Sequence, residues 1–241
     1  MPQITLSQLD HERFGIRTAK TFIKTPQEIQ AAVEEAQMLN VRLLIARSYV
    51  SEIRLAQKME SNGFFLTDTL VYYAYDLTKK TIPADASSNE IRPVLLEEAD
   101  RVKKVAEKAF KGYFGHYHAD EKLDSRQSDE VYTDWAKRAC LERTQNDEVF
   151  VAIVDNEIMG FATMRLNDIR EGEGVLFAVD PAMQGKGIYR SFILAGLTWC
   201  YEKGCDKMVV STQINNIAVQ KVWTRTGFEP LHAYYTFHKW F

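Results

Sequence analysis

Between Thr25 and Asn40 the apolar residues Ile29, Ala32, Val33 and Ala36 fall on one helical face, and Thr25-Pro26 supplies a cap and first-turn proline. The run Val41–Ala46 reads as a short buried strand, 51–62 as a helix stopped by Gly63, and 69–77 as an aromatic strand. Hydrophobicity then collapses through 79–90, where Pro83 meets a Ser pair, and the segment reads as a linker. Beyond it the pattern predicts a helix over 96–110, an aromatic, His-containing segment over 113–120, and a helix over 129–142. Strands at 148–154 and 158–165 are joined by the hairpin turn Asp155-Asn156-Glu157. A strand over 174–179 leads through Gln184–Gly187 into a helix ending at Gly204. A strand over 207–212 leads into a helix ending at Gly227, and an aromatic strand closes the chain over 231–241. The order is α+β, with an N-terminal β/α subdomain over 1–78, the linker 79–90 and a larger domain over 91–241.

The 164 residues that separate Gly63 from Gly227 also separate Leu44–Ala46 from Met208–Val210, Phe64 from Phe228 and Val71–Tyr73 from Tyr235–Phe237. Strand, helix, Gly-Phe and strand therefore occur twice, as an internal repeat or as two independent β/α/β units. The first copy lacks the glycine-rich loop of the second, which points it to a structural or substrate-shaping role.

With Lys+Arg 30 against Asp+Glu 33, a net charge of −3 and a pI near 6.0, the chain lacks the basic excess of a nucleic-acid binder. No apolar run approaches the roughly 20 residues of a membrane helix, and residues 1–14 do not resemble a signal peptide, so a cytoplasmic protein is expected. Cys140, Cys200 and Cys205 form no CxxC pair, so neither a disulfide framework nor a metal site is expected.

Gln184-Gly185-Lys186-Gly187 lies between a strand and a helix, where successive backbone N–H groups and a helix N-terminus can face phosphate. Its spacing is neither that of a Walker loop nor GxGxxG, and an ordinary βα turn is the alternative. Lys186 and Arg190 are placed to steady phosphates or to lie solvated on the surface.

Taken with Val175-Leu-Phe-Ala-Val-Asp-Pro181 before it, and Asn216 and Gly227-Phe228 after it, this loop resembles that of the GNAT acetyltransferase superfamily. The resemblance covers about 91–241. It implies the GNAT (acyl-CoA N-acyltransferase) fold, preceded by a subdomain resembling a truncated half-GNAT. It also implies acetyl-CoA as acyl donor, held by Phe177, Ala178, Val179, Gln184, Gly185, Lys186, Gly187, Ile188, Tyr189, Arg190, Asn216 and Val219. Phe14-Gly15, the strand 71–77, the segment 110–120, Tyr132 with Trp135, and Thr212-Gln213 resemble the dTDP-fucosamine N-acetyltransferase type. That type acts on a nucleotide-linked amino sugar for surface polysaccharide. The implied reaction is direct attack of the neutral amine on the thioester. The alternatives are a GNAT-like aminoacyltransferase, an acetyltransferase for another amine, and a non-enzymatic acetyl-CoA-binding module; a homodimer is left open.

Two positions depart from the family pattern. Tyr189 stands where the loop has Gly or Ala, and Trp223 where the helix has a tyrosine that protonates the leaving thiolate. An indole N–H donates a hydrogen bond but is no acid near neutral pH. Either another donor serves, or the thiolate leaves unprotonated. Trp223, Glu173 and His116 are the catalytic candidates; Glu173, with Glu171, otherwise belongs to an acidic turn over 170–174. Tyr113, His116, Tyr117 and His118 are candidates for the acceptor, as are Tyr234 and Tyr235 by stacking, although the last two also fit a strand packing alternate residues inward.

Overall fold

The computed structural model describes residues 3–241. The strands and helices run β1 (Thr5–Leu6), α1 (Gln8–Phe14), β2 (Thr18–Phe22), α2 (Pro26–Met38), β3 (Leu43–Tyr49), α3 (Ile53–Ser61), β4 (Phe65–Asp76), β5 (Glu90–Pro93) and α4 (Ala99–Ala109). There follow α5 (Ser125–Leu141), β6 (Asp147–Val154), β7 (Glu157–Asp168), β8 (Glu171–Val179), α6 (Ile188–Glu202), β9 (Lys207–Gln213), α7 (Ile217–Thr226) and β10 (Glu229–Trp240). Packing divides them into two units that interleave along the chain. The first takes the residues up to Val71, Phe114–Ser128 and His232–Phe241; the second takes Tyr72–Tyr113 and Asp129–Leu231. The division read from sequence, 1–78 and 91–241 about a linker, is a different partition, because the C-terminal strand pairs with β3.

In the first unit the strand order is β1-β2-β3-β10-β4. β2 runs parallel to β3 along its whole length, from Thr18 opposite Leu43 to Phe22 opposite Arg47. β10 lies antiparallel to β3, from Tyr234 opposite Tyr49 to Trp240 opposite Leu43. Ile29, Ala32 and Ala36 of α2, at the expected helical spacing, pack with Leu55 and Met59 of α3 on Ala19, Leu44, Ala46 and Phe237. Thr25 starts α2 without the expected side-chain cap; the Lys24 N–H is instead taken by Glu28 Oε2 at 2.6 Å.

In the second unit the order is β4-β9-β8-β7-β6-β5. Helix α6 covers one face, with Ile193, Leu197 and Trp199 against Met164 and Met208. Helices α4 and α5 cover the other, with Val102, Val105 and Ala136 against Phe161, Leu176 and Ala178. Helix α5 begins four residues before the expected 129, because the Asp124 carboxylate accepts the N–H of Arg126 at 2.8 Å and holds the first turn. No helix among the described residues is long and apolar enough to cross a membrane.

Gly172 lets Cys200 of α6 press directly on β8. A Cβ there would lie 2.2 Å from the Cys200 Sγ but 3.4 Å from its Cβ. Gly172→Ala is therefore expected to destabilise the protein by about 1–3 kcal/mol through overpacking. Adding Cys200→Ala removes the sulfur and should restore most of that loss in urea denaturation, whereas an unrepaired double variant would show that the clash lies elsewhere.

The 164-residue offset holds in three dimensions. It carries β3 onto β9 and β4 onto β10 end to end, and α3 onto α7 except for the last residue. Each repeat also has a parallel strand beside it, β2 next to β3 and β8 next to β9. The two copies differ in how that pair continues. β2 stays paired with β3 over all its residues, whereas β8 pairs with β9 only from Glu171 opposite Lys207 to Gly174 opposite Val210. Past Gly174 the strands part, and the opening belongs to the second copy.

Candidate functional site

The parting follows an irregularity in β8. Against β7, Gly174 stands opposite Met164 and Leu176 opposite Thr163, so Val175 is an extra residue that bends the strand. The bend is fixed by the Leu176 N–H, which donates to Thr163 Oγ1 at 3.0 Å. Beyond it the Asp180 N–H bonds back to the Met159 carbonyl at 2.8 Å. By the two-residue alternation of a strand, the N–H groups of Phe177 and Val179 point the other way, toward the opening. Of the three expected strand contacts, Phe177 and Val179 thus offer donors, while Ala178 packs its side chain against α4.

The strand ends in a braced corner. Asp180 is buried, accepts the Ala182 N–H at 3.0 Å and pairs with Lys108 Nζ at 2.9 Å. The lysine hydrogen bond, with that of Ala182, holds its carboxyl below the usual carboxylate range. Pro181–Met183 form a single turn, and the chain enters α6 through Gln184, Gly185, Lys186 and Gly187, all exposed. Gly185 has φ 78° and Gly187 φ 85°, the left-handed region that other residues adopt at a cost. A Cβ at Gly185 would meet nothing within 4 Å. The loop is therefore open beside Gly185, at the N-terminus of a fifteen-residue helix, a place where phosphate can be received. Lys186 lies exposed with Nζ 3.3 Å from Met183 Sδ, and Ile188 is buried in the core beneath the loop.

The segment read as a linker is part of this loop's scaffold. Asp85 pairs with Arg190 at 3.5 Å, and Ser191 Oγ meets Ser87 Oγ at 2.9 Å and Asn89 Nδ2 at 3.0 Å. Arg190 is therefore committed to Asp85. The Pro83 and Ser signals that read as a linker mark irregular backbone, and a chain can be irregular while bonded at every second residue.

Asn216 caps α7: its Oδ1 faces the Val219 N–H at 3.5 Å and its Nδ2 donates to Thr212 Oγ1 at 3.0 Å. Val219 packs half-buried against the core that holds Trp223. Trp223 is 2% exposed, and its indole N–H has no hydrogen-bond partner. Tyr189 is half-buried, with its ring 5.6 Å from that of Phe177. Glu173 lies within β8, not in a turn ahead of it, because β8 already begins at Glu171. Arg165 holds its carboxylate at 2.6 Å.

The aromatic segment divides between the units. Tyr113 stays in the second, packed on Phe110 and Tyr132. His116, Tyr117 and His118 belong to the first. There the Tyr117 hydroxyl donates to buried Asp10 at 2.7 Å, and His118 Nδ1 accepts the Gly115 N–H at 3.2 Å. His116 Nδ1 lies 2.9 Å from His238 Nε2, and His238 Nδ1 lies 2.7 Å from Asp120 Oδ2, which also accepts the Trp240 indole N–H at 2.9 Å. A carboxylate only accepts, so His238 donates from Nδ1 to Asp120, and its Nε2 shares the remaining hydrogen bond with His116 Nδ1. Burial, with His238, Arg47 and Lys20 facing it, holds His116 well below the usual histidine range and keeps it neutral. Sequence reasoning named His116 but neither His238 nor Asp120.

The terminal pair Tyr234 and Tyr235 point to opposite faces. Tyr235 packs against the core under α2 and α3, so it is not placed to stack on a ligand. Tyr234 joins Phe22, Tyr49 and His232 in an aromatic group, with ring centroids 4.6–5.0 Å from its own. Among the described residues no group of three or more His, Cys, Asp or Glu side chains could hold a metal ion.

A sheet that parts beside a bulged strand, with a glycine loop feeding a helix at its mouth, defines the GNAT class of fold. The sequence model of the acetyltransferase (GNAT) family matches residues 107–228, just over half of the chain, and the chain belongs to that family. The mycothiol acetyltransferase of Nocardia farcinica is 38% identical over 62 residues, which are 26% of this chain and 20% of that protein. The chain matches only about a fifth to a third of the length of the curated relatives first found. In fold it is similar to a GCN5-related N-acetyltransferase from Sphaerobacter thermophilus, with TM-score 0.62, 14% identity, and 92% of this chain and 73% of that one covered. A tandem GNAT protein from the clavulanic acid biosynthesis pathway gives TM-score 0.62 at 13% identity, covering 94% and 76%.

Proposed function

We propose that the protein transfers the acetyl group of acetyl-CoA to the amine of a small acceptor. The observation that carries this reading is the parting of β8 from β9 past Gly174, beside a loop that offers N–H groups to phosphate. The residues fit the donor molecule chemically. The Gly185–Tyr189 amides and the α6 N-terminus suit its pyrophosphate. The Phe177 and Val179 N–H groups suit the amide and thioester carbonyls of an extended arm, and one of them would stabilise negative charge growing on the thioester oxygen. No covalent acyl-enzyme is called for: Cys140 and Cys200 are buried, with burial pushing the Cys140 thiol up to about 11 and Cys200 higher still. The neutral amine attacks the carbonyl carbon directly. Its proton goes to water or to a base, for which Glu173 is the candidate in the unit that holds the opening. Glu173 would act through water, because Arg165 occupies it.

For the acceptor, a nucleotide-linked amino sugar follows from the sequence resemblance, while the relatives named for mycothiol favour a thiol-bearing acceptor of that kind. Conversion of acetyl-CoA to CoA, followed by chromatographic separation of the two, should separate these, run against dTDP- and UDP-linked amino sugars, mycothiol-type amines, polyamines and amino acids. CoA release with one nucleotide sugar supports the first reading, and release only with the mycothiol-type amine supports the second. Acetyl-CoA binding without release on any amine would leave a binding module. Tight tRNA binding with a steep salt dependence would point to aminoacyl transfer.

A further inference from the structure

Helix α6 begins without a side-chain cap. Gly187 stands at its N-cap position and has no side chain to accept the N–H groups of the first turn. The pyrophosphate of a donor takes the N–H groups at such a helix end, and a capping side chain would compete with it for them. An uncapped end frays, so the turn has to be held some other way.

Residues 84–89 hold it from the side. Ser191, 2% exposed, accepts from Asn89 Nδ2 at 3.0 Å and meets the Ser87 hydroxyl at 2.9 Å, and its own Oγ donates to the Gly187 carbonyl at 3.4 Å. A hydroxyl donates once and accepts twice, so Ser191 satisfies all three contacts together. Asp85 accepts the Ser87 N–H at 3.0 Å and pairs with Arg190 at 3.5 Å, while Arg190 also donates to the Ala84 carbonyl at 3.5 Å. The Asn89 amide nitrogen lies 3.7 Å from where a Cβ on Gly187 would stand. These bonds fall on side chains of α6 and on the Gly187 carbonyl, and none of them uses an N–H of the first turn. That carbonyl shares a planar trans peptide with the Ile188 N–H, which points the opposite way. Holding the one therefore aims the other, outward from the helix end.

We propose that Ser87 and Asn89 are positioning residues for the acetyl-CoA pyrophosphate, acting through Ser191: they fix the first turn of α6 in its binding form and leave its N–H groups to the donor. The proposal rests on the acetyl-transfer reading above and adds to it a preference for thioesters that carry the pyrophosphate. A turn already in place loses less freedom when the ligand binds. Residues 84–89 precede the stretch 107–228 matched by the family model, so this support comes from outside the loop motif.

The test compares the unaltered protein with the Ser87→Ala/Asn89→Ala double variant, first with reduced CoA as probe and no acceptor. Isothermal titration should find binding about tenfold weaker in the double variant, the equivalent of one hydrogen bond to a charged group. Hydrogen exchange in the ligand-free protein should quicken at 188–191 and stay unchanged in the rest of α6. With an acceptor, KM for acetyl-CoA should rise by the same factor at an unchanged kcat. With S-acetyl-pantetheine, which lacks the pyrophosphate, kcat/KM should stay at the unaltered value. Ser87→Thr, which keeps the hydroxyl, should bind CoA as the unaltered protein does. Ser87 is exposed, so Ser87→Ala alone keeps the test open if the double variant unfolds, with a loss of about threefold expected. Unchanged CoA affinity in the folded alanine variants would overturn the proposal. So would an equal loss with both thioesters, because 84–89 would then shape the opening as a whole. Failure of the unaltered protein to bind CoA is a separate result, and it removes the acetyl-transfer reading itself.

Discussion

Replacing Asp120 with alanine is expected to lower the melting temperature by on the order of 10 °C. The carboxylate accepts from the His238 imidazole, the Trp240 indole and the Lys122 backbone N–H, and His238 is fully buried. Alanine leaves those donors without a partner in a site too closed for water to serve each of them. Unsatisfied buried donors to a charged group cost about 2–4 kcal/mol in sum, and each kilocalorie shifts a domain of this size by about 2–4 °C. Thermal unfolding followed by circular dichroism measures it. A shift of under about 2 °C would show that the three donors find other partners.

The same cluster sets a pH dependence. His116 titrates well below its ordinary value in the folded protein, through burial first and then through His238, Arg47 and Lys20. In the unfolded chain it takes up a proton near pH 6.5. Below that pH the unfolded state binds more protons, so stability falls as pH drops through about 6.5 and keeps falling until the folded form also protonates. Asp120 acts lower on the scale. Burial alone would raise it, but the His238 and Trp240 hydrogen bonds outweigh burial and hold it below its ordinary value. Its contribution is present above about pH 3.8 and fades as pH falls through the folded value. His116→Asn keeps a hydrogen-bonding partner for His238 Nε2 and removes the titration of His116. Its unfolding free energy should therefore decline less between about pH 7 and 5.5 than that of the unaltered protein.

What the sequence revealed and what it hid divides along a physical line. The repeat was legible because it rests on local features: a buried strand, a helix stopped by glycine, then an aromatic strand, in each copy. The glycine loop was legible for the same reason, since backbone demand for positive φ is written into residue type at one place in the chain. The pairing of β10 with β3 was not legible. Both strands alternate in the way any half-buried strand does, and nothing in Tyr234–Trp240 names its partner. The relay suffers most. His116 and His238 lie 122 residues apart and Asp120 and His238 lie 118 apart, so no spacing rule joins them. Glu171 and Glu173 read as a turn because charged residues and glycines are poor strand formers. The extended ladder with β7, with Arg165 at Glu173 and Lys207 at Glu171, decides otherwise.

Gly187→Val is expected to weaken acetyl-CoA binding about a hundredfold while leaving the melting temperature within a few degrees. Gly187 sits at φ 85°, immediately ahead of α6 and exposed. A β-branched residue pays roughly 1–2 kcal/mol or more in that region, so the loop relaxes by rotating to negative φ. The rotation turns the N–H groups of the loop away from the space they share. Each hydrogen bond to a charged phosphate is worth about 1.5–3 kcal/mol, and tenfold in affinity is about 1.4 kcal/mol, so losing one or two gives the stated factor. Gly204→Val is the control. It lies just past the other end of α6 at φ 80°, with nothing within 4 Å of an added Cβ, so it carries the same backbone strain away from the loop. Isothermal titration should find its affinity for acetyl-CoA unchanged. Equal loss in both variants would mean that strain in α6 as a whole, and not the direction of the loop amides, governs binding. Equal retention in both would mean that the pyrophosphate is held by groups other than this loop.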